Sequence, residues 1–234
     1  MSIKNIEHKL IVPNTVEVRE YQVALANQAK NSNCLVVLPT GLGKTTVALH
    51  VIADYLSKGE GGVLFLAPTK VLVNQHYEFL KNVMKIEDIA LITGENLLVR
   101  RKKLWINSII CATPEITRND IIRKIVDIKQ FSLIIFDEAH RAVGDYAYTS
   151  IADQFSDTSV RMLGMTATLP SEKEKAKEIC GNLRIKEIAE RSDSSPDVKP
   201  YIQETDTEWV LIDLVPEMKI IQRYIKLALD QRYT

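Results

Sequence analysis

The sequence is short of several things, and each shortage excludes a class of protein. No apolar run approaches the roughly 20 residues that cross a bilayer, so no membrane span is expected. The opening residues, MSIKNIEHKLIVPN, hold no apolar leader core and no small-residue cleavage site, which points away from secretion. Cysteine is sparse. Cys34, Cys111 and Cys180 stand far apart, with no C-x-x-C pair and no histidine cluster nearby. Neither a disulfide framework nor a thiolate metal site is expected, only reduced, buried or half-buried thiols of a cytosolic chain. Net charge is missing too: 30 basic residues balance 30 acidic ones. That excludes a uniformly basic coat, so any polyanion must be held by a local patch. There is no internal repeat and no low-complexity segment.

What is present is a globular pattern, with 46% of 234 residues apolar and 26% charged, enough for one sizeable core. Short runs rich in Val, Ile and Leu recur at Leu35–Leu38, Val63–Ala67, Ile89–Ile92, Ile109–Ala112, Leu133–Phe136 and Arg161–Met165. Runs of that kind read as strands buried on both faces of a parallel sheet. Helical patterns lie between and after them, over Thr45–Ser57, Lys70–Met84, Asn96–Trp105, Glu115–Lys124, Tyr146–Phe155 and Glu172–Cys180. The alternation predicts an α/β fold with a doubly wound, mostly parallel sheet, and ligands at the carboxyl ends of its strands. Near residues 191–200, two prolines and three serines mark a linker or crossing segment. The expected organisation is therefore one domain over 1–191 and a connecting part over 192–234. That second part has a strand-like Glu208–Leu214 and a helical Pro216–Asp230, which ends without a stop signal, as in a fragment of a longer protein.

The first strand runs into Leu38-Pro39-Thr40-Gly41-Leu42-Gly43-Lys44-Thr45-Thr46 and then a helix. Glycines let backbone N–H groups turn inward around a phosphate, and the helix start adds partial positive charge. Lys44 would reach the β- and γ-phosphates of a nucleoside triphosphate, and the Thr45 hydroxyl would ligate Mg²⁺. The strict phosphate-loop pattern wants glycine at position 38, where this chain has leucine. A second apolar strand delivers Asp137-Glu138-Ala139-His140 to the same sheet edge. Asp137 is placed to hold Mg²⁺, and Glu138 to orient and deprotonate the attacking water. No N-K-x-D guanine reader is present. Gln22, in Arg19-Glu-Tyr-Gln22, offers the paired donor and acceptor that match an adenine edge.

With Ala67-Pro-Thr69-Lys70 after the second strand and Thr166-Ala-Thr168 after the sixth, the sequence resembles the superfamily 2 helicases. Thr93-Gly94 and Ala112-Thr113-Pro114 fit the same series. Residues 33–45, 136–148 and 192–201 narrow the likeness to the archaeal Hef and FANCM type. One departure is threonine at 168, where Hef-like chains are expected to have serine. The resemblance implies a RecA-like first motor domain, with ATP and Mg²⁺ as cofactors and forked or branched DNA as partner. In full-length relatives a second RecA-like lobe and an XPF-like nuclease domain belong to the same chain. The implied site is cytoplasmic, on the nucleoid in an archaeon.

By the same resemblance Thr69, Lys70, Thr93, Gly94, Thr113 and Pro114 hold the nucleic-acid backbone. They offer donors at strand ends and read no base, which suits a motor stepping along any sequence. His140 would link the γ-phosphate region to Thr166 and Thr168. Arg100-Arg-Lys-Lys103 could touch a backbone or form a solvated helix face, and Trp105 and Trp209 are expected to pack. The alternating Lys and Glu of 172–178 read as a solvated surface with local pairs. No second lobe fits after position 200, and the arginine fingers of such motors come from that lobe. Little ATPase is therefore expected of these residues alone. An RNA-directed relative and a silent, ATP-gated nucleic-acid-binding domain remain as alternatives. Intact Lys44, Asp137 and Glu138 speak against the silent one.

Overall fold

The computed structural model describes residues 4–202, 210, 212–213 and 215–230. The chain divides into two compact units, the first ending at Ile202 and the second beginning at Gln203.

Among the described residues, the first unit is built on seven strands: β1 Cys34–Val37, β2 Gly62–Leu66, β3 Ile89–Ile92, β4 Ile109–Ala112, β5 Phe131–Asp137, β6 Arg161–Thr166 and β7 Glu187–Glu190. They form one sheet in the order β3-β4-β2-β5-β6-β1-β7. Every pairing in it is parallel, so the doubly wound reading holds. Seven helices flank the sheet: α1 Glu20–Asn31, α2 Lys44–Lys58, α3 Lys70–Val83, α4 Leu98–Leu104, α5 Pro114–Ile122, α6 Ala147–Gln154 and α7 Lys173–Asn182.

Strand alternation divides the core between the two faces. Cys34, Val36, Val63, Phe65, Leu133 and Ile135 pack with α1, α2 and α3. Their neighbours Leu35, Val37, Leu64, Leu66, Ile134 and Phe136 pack with α5, α6 and α7. Helices on both faces explain why the strands are near-continuous apolar runs. Each must satisfy two interiors. Cys34 and Cys111 are buried and Cys180 is half-buried, all as free thiols, and burial pushes Cys34 up to about 12.

Two elements escaped the sequence reading. α1 buries Tyr21, Gln22, Leu25, Ala26 and Ala29, a face too small and polar to register as an apolar stripe. β7 is an edge strand that buries only Ala189 of its four residues. The boundary expected at 191/192 is also corrected. Val198 is fully buried, and Tyr201 packs edge-on against Tyr21 at 5.5 Å, so 192–202 belongs to the first unit. In the second unit α8 spans Pro216–Asp230, as expected. The strand expected at Glu208–Leu214, and Trp209 with it, lies largely outside the described residues. No helix among the described residues is long and apolar enough to cross a membrane.

Candidate nucleotide site and nucleic-acid edge

Strand order alone brings three of the sequence signals together. β6 lies between β5 and β1, with Asp137 beside Met165 and Thr166 beside Val37. The phosphate loop, the acidic pair and the Thr166 turn therefore leave the sheet side by side at its carboxyl edge.

The phosphate loop is shaped before α2 begins. Gly41 and Gly43 hold φ of 82° and 85°, the left-handed region that favours glycine. At Gly43 a Cβ would also lie 2.3 Å from Gln22 Nε2, so a side chain there would have to displace that amide. Tyr21 Oη and Gln22 Nε2 both donate to the Leu42 carbonyl, at 2.8 and 2.9 Å. Leucine at 38 now has a reason. It is fully buried, its N–H donates to Thr166 O at 3.0 Å, and its carbonyl accepts from Lys44 Nζ at 3.0 Å. Position 38 continues the strand into the core and needs no glycine. Pro39 and Thr40 complete the turn to Gly41. Thr45 and Thr46 stand half-buried in the first turn of α2, where the Thr46 N–H donates to the Gly43 carbonyl at 2.9 Å.

These residues fit a nucleoside triphosphate on two counts. Gln22 is 2% exposed, and its Oε1 is a buried acceptor with no partner, suited to an exocyclic amine. A cavity of about 250 Å³ also opens between Gln22, Gly41, Gly43, Thr46 and Phe79.

Asp137 ends β5, 5% exposed, and Tyr148 of α6 donates to its carbonyl at 2.7 Å. Its carboxylate Oδ2 is 2.8 Å from His76 Nε2 of α3. Among the described residues no hydrogen bond reaches Oδ1, which leaves one oxygen for a cation. Glu138 sits at φ 51°, one of the few non-glycine residues in left-handed conformation. A side chain held there costs of order 1 kcal/mol or more, and such outliers gather at functional sites. Gly164 of β6 makes room for this turn, because a Cβ there would come within 3.2 Å of Ala139 Cβ.

His140 Nδ1 lies 3.1 Å from Thr166 Oγ1 and 3.3 Å from Glu138 Oε2. Thr166 already donates its hydroxyl proton to Thr168 O at 2.9 Å, so it accepts from an Nδ1–H of His140. The expected link from the acidic motif to Thr166 is present. Thr168 contributes through its carbonyl rather than its hydroxyl.

The other half of the edge carries the expected nucleic-acid residues, with Thr69 and Thr93 tied within their own turns. Thr69 caps α3 by accepting from Leu72 N at 3.3 Å. Lys70 pairs with Glu95, both side chains being exposed. Thr93 is buried, its N–H donating to Asn96 Oδ1 at 2.7 Å, while Gly94 is exposed. Thr113 precedes α5 without a side-chain cap, and Pro114 is its buried first residue. The cationic run is corrected. Arg101 is 7% exposed and grips Asp120 through Nε and Nη2, at 2.8 and 2.9 Å. Trp105 Nε1 donates to the same carboxylate at 2.9 Å, so Trp105 packs as expected. Arg100, Lys102 and Lys103 remain exposed. On α7 the pairs Lys175–Glu172 and Lys177–Glu174 bear out a solvated surface.

Two partners of Asp137, His76 and Tyr148, were not singled out in the sequence. His76 left a signal: it is the polar member of the buried stripe Val73, His76, Leu80, Val83, and a buried imidazole needs a partner.

Comparison with known proteins agrees with this geometry. A Methanocaldococcus jannaschii protein, named provisionally as an ATP-dependent RNA helicase, is 43% identical over 97% of this chain and 29% of its own length. The Drosophila melanogaster DEAD-box ATP-dependent DNA helicase Fancm is 34% identical over 95% of this chain and 16% of its own. The chain thus spans less than a third of either relative. The crystal structure of the Pyrococcus furiosus Hef helicase domain superposes with a TM-score of 0.78 at 41% identity, covering 85% of this chain and 43% of that one. The sheet is that of the RecA-like helicase domain. The DEAD/DEAH box helicase model matches residues 19–176, a stretch that includes Gln22 of α1 and Thr168, and the chain belongs to that family.

Proposed function

We propose that this chain is the ATP-binding first lobe of an ATP-dependent DNA helicase or translocase that remodels forked or branched DNA. The observation that carries the reading is the clustering of Lys44, Asp137, Glu138 and the His140–Thr166 bond at three adjacent strand ends, with Gln22 of α1 bonded to the Leu42 carbonyl of the same loop. Gln22 would read adenine through its orphaned Oε1 and its amide N–H. The loop from Pro39 to Thr46 would wrap the phosphates, with Lys44 leaving the Leu38 carbonyl for phosphate oxygens. Thr45 and Asp137 would hold Mg²⁺, which when bound neutralises charge on the transferring phosphoryl group. Glu138 would orient and deprotonate water. His140 would pass the state of that centre to Thr166.

Thr69, Lys70, Thr93, Gly94 and Thr113, with Pro114 fixing the start of α5, would grip a nucleic-acid backbone without reading sequence. DNA is favoured by the likeness to Fancm and Hef. An RNA substrate stays the second reading, because the Methanocaldococcus relative is named for RNA. The strained Glu138 favours catalysis over a silent binding domain. The residues from 203 onward would lead toward a second RecA-like lobe, and a nuclease domain would complete the full-length protein. The expected compartment is the cytoplasm, on the nucleoid in an archaeon.

The test has two arms. The chain should bind ATP, and Lys44→Ala should abolish binding. A protein joining it to its second lobe should show ATPase stimulated by forked DNA in preference to duplex RNA. The chain alone should turn over about 10³-fold or more slowly, for want of an arginine finger. Robust fork-stimulated turnover by the chain alone, or stimulation by duplex RNA only, would overturn the proposal.

A further inference from the structure

One buried contact joins the acidic strand end to a helix that the nucleotide motifs do not include. The buried residues of α3 are Val73, His76, Leu80 and Val83, an amphipathic stripe with a single polar member. The imidazole of His76 lies tilted on Phe65 of β2, with ring centroids 4.4 Å apart, and its Nε2 reaches Asp137 Oδ2 at 2.8 Å. Both side chains are nearly enclosed, at 10% and 7% exposure. An ionised carboxylate only accepts, so Nε2 carries the proton and donates.

Asp137 is thereby held from both faces of the sheet. His76 fixes its carboxylate from the α3 side, and Tyr148 fixes its carbonyl from the α6 side. With Oδ2 committed, any rotation of the carboxylate away from its position costs the imidazole bond. The remaining oxygen is presented in one orientation.

We propose that His76 is a positioning residue that pre-orients Asp137 for the divalent cation accompanying the nucleotide. The inference rests on the reading of Asp137 as a cation ligand. Partners of this kind, one bond removed from a metal, typically govern 10–100-fold in metal affinity. A purely structural histidine would support packing but leave the metal dependence of nucleotide binding unchanged.

The experiment titrates a fluorescent ATP analogue into the wild-type chain and into His76→Ala and His76→Gln, once with Mg²⁺ and once with EDTA. Thermal unfolding of each variant is recorded alongside. His76→Ala should weaken binding about 10-fold in Mg²⁺ and leave it within about twofold of wild type in EDTA. His76→Gln, whose amide N–H can donate to the same oxygen, should recover most of the Mg²⁺-dependent affinity. If the alanine variant does not fold, His76→Leu takes its place, since it keeps the stripe apolar. Equal loss with and without Mg²⁺, no loss at all, or a glutamine variant no better than alanine would each overturn the proposal. Failure of the underlying site reading looks different: the wild type would bind nucleotide no better with Mg²⁺, and Lys44→Ala would bind as well as wild type.

Discussion

At the ends of β1, β6 and β5, the side chains of the candidate site are bonded across elements. At the ends of β2, β4 and β3 Thr69 and Thr93 are bonded within their own turns, and the Lys70–Glu95 pair links two of those ends. Gln22 of α1 reaches the Leu42 carbonyl, His76 of α3 reaches Asp137, and His140 reaches Thr166. By contrast Thr69 caps the helix it precedes, and Asn96 closes the turn opened by Thr93. The difference matches the two tasks proposed for the edge. Phosphoryl transfer gains from groups fixed before the reaction, since reorganisation then adds nothing to the barrier. Gripping a backbone of any sequence needs donors at regular places and little else. The one deep anchor on the second side, Arg101–Asp120–Trp105, lies beneath that surface and ties α4 to α5.

The contrast can be broken at graded cost. Glu138→Gln should lower the ATPase of the two-lobed protein by about 10²–10⁴-fold while nucleotide binding persists, a split that steady-state kinetics and equilibrium binding resolve together. On the other side, Asp120→Ala strands a buried guanidinium and should cost about 3–5 kcal/mol in urea unfolding. A loss below 1 kcal/mol would mean the anchor is not what holds α4. Gly43→Ala should cost about 1–3 kcal/mol through its positive φ and displace Gln22, weakening nucleotide binding in proportion.

A pH effect is expected from α2. Burial, with Lys30 and His8 adding to it, pushes His50 of α2 down to about 4 from 6.5. Its neutral form is the folded form, so its contribution is complete above pH 6.5 and is lost as the pH falls toward 4. About 1 kcal/mol should go between pH 7 and 5, after allowance for partial solvent access, and His50→Gln should flatten that part of the stability curve. The smallest effect belongs to the exposed Lys70–Glu95 pair. Lys70→Ala should change stability by less than about 0.5 kcal/mol, yet lower the salt slope of DNA binding by about one.

Much of this was legible in the residues, for identifiable reasons. The six core strands announced themselves because burial on both faces forces unbroken Val, Ile and Leu. The phosphate loop and Asp137-Glu138 were legible because their chemistry dictates residue types at fixed spacing. α1 was not, since its buried face is largely Ala, Tyr and Gln. β7 was not, since an edge strand buries too little to leave a pattern. The pairing of Arg101 hid inside a run of like charges, because its partner is distant in sequence and nothing local distinguishes it from Arg100. The reach of 192–202 back to Tyr21 was hidden by its prolines and serines, which read as a linker whether or not the segment is docked.

The helix α3 has a consequence that belongs to neither half. It opens at Thr69 and Lys70, among the proposed backbone contacts, and bonds the carboxylate proposed to hold the cation six residues later, about 9 Å along its axis. A packed helix of that length moves as one body. On the proposed roles, a strand of nucleic acid that shifts its start would therefore alter the free energy of a cation held at its second turn. Thermodynamic reciprocity then requires the cation, arriving with its nucleotide, to change the grip on the strand by the same factor.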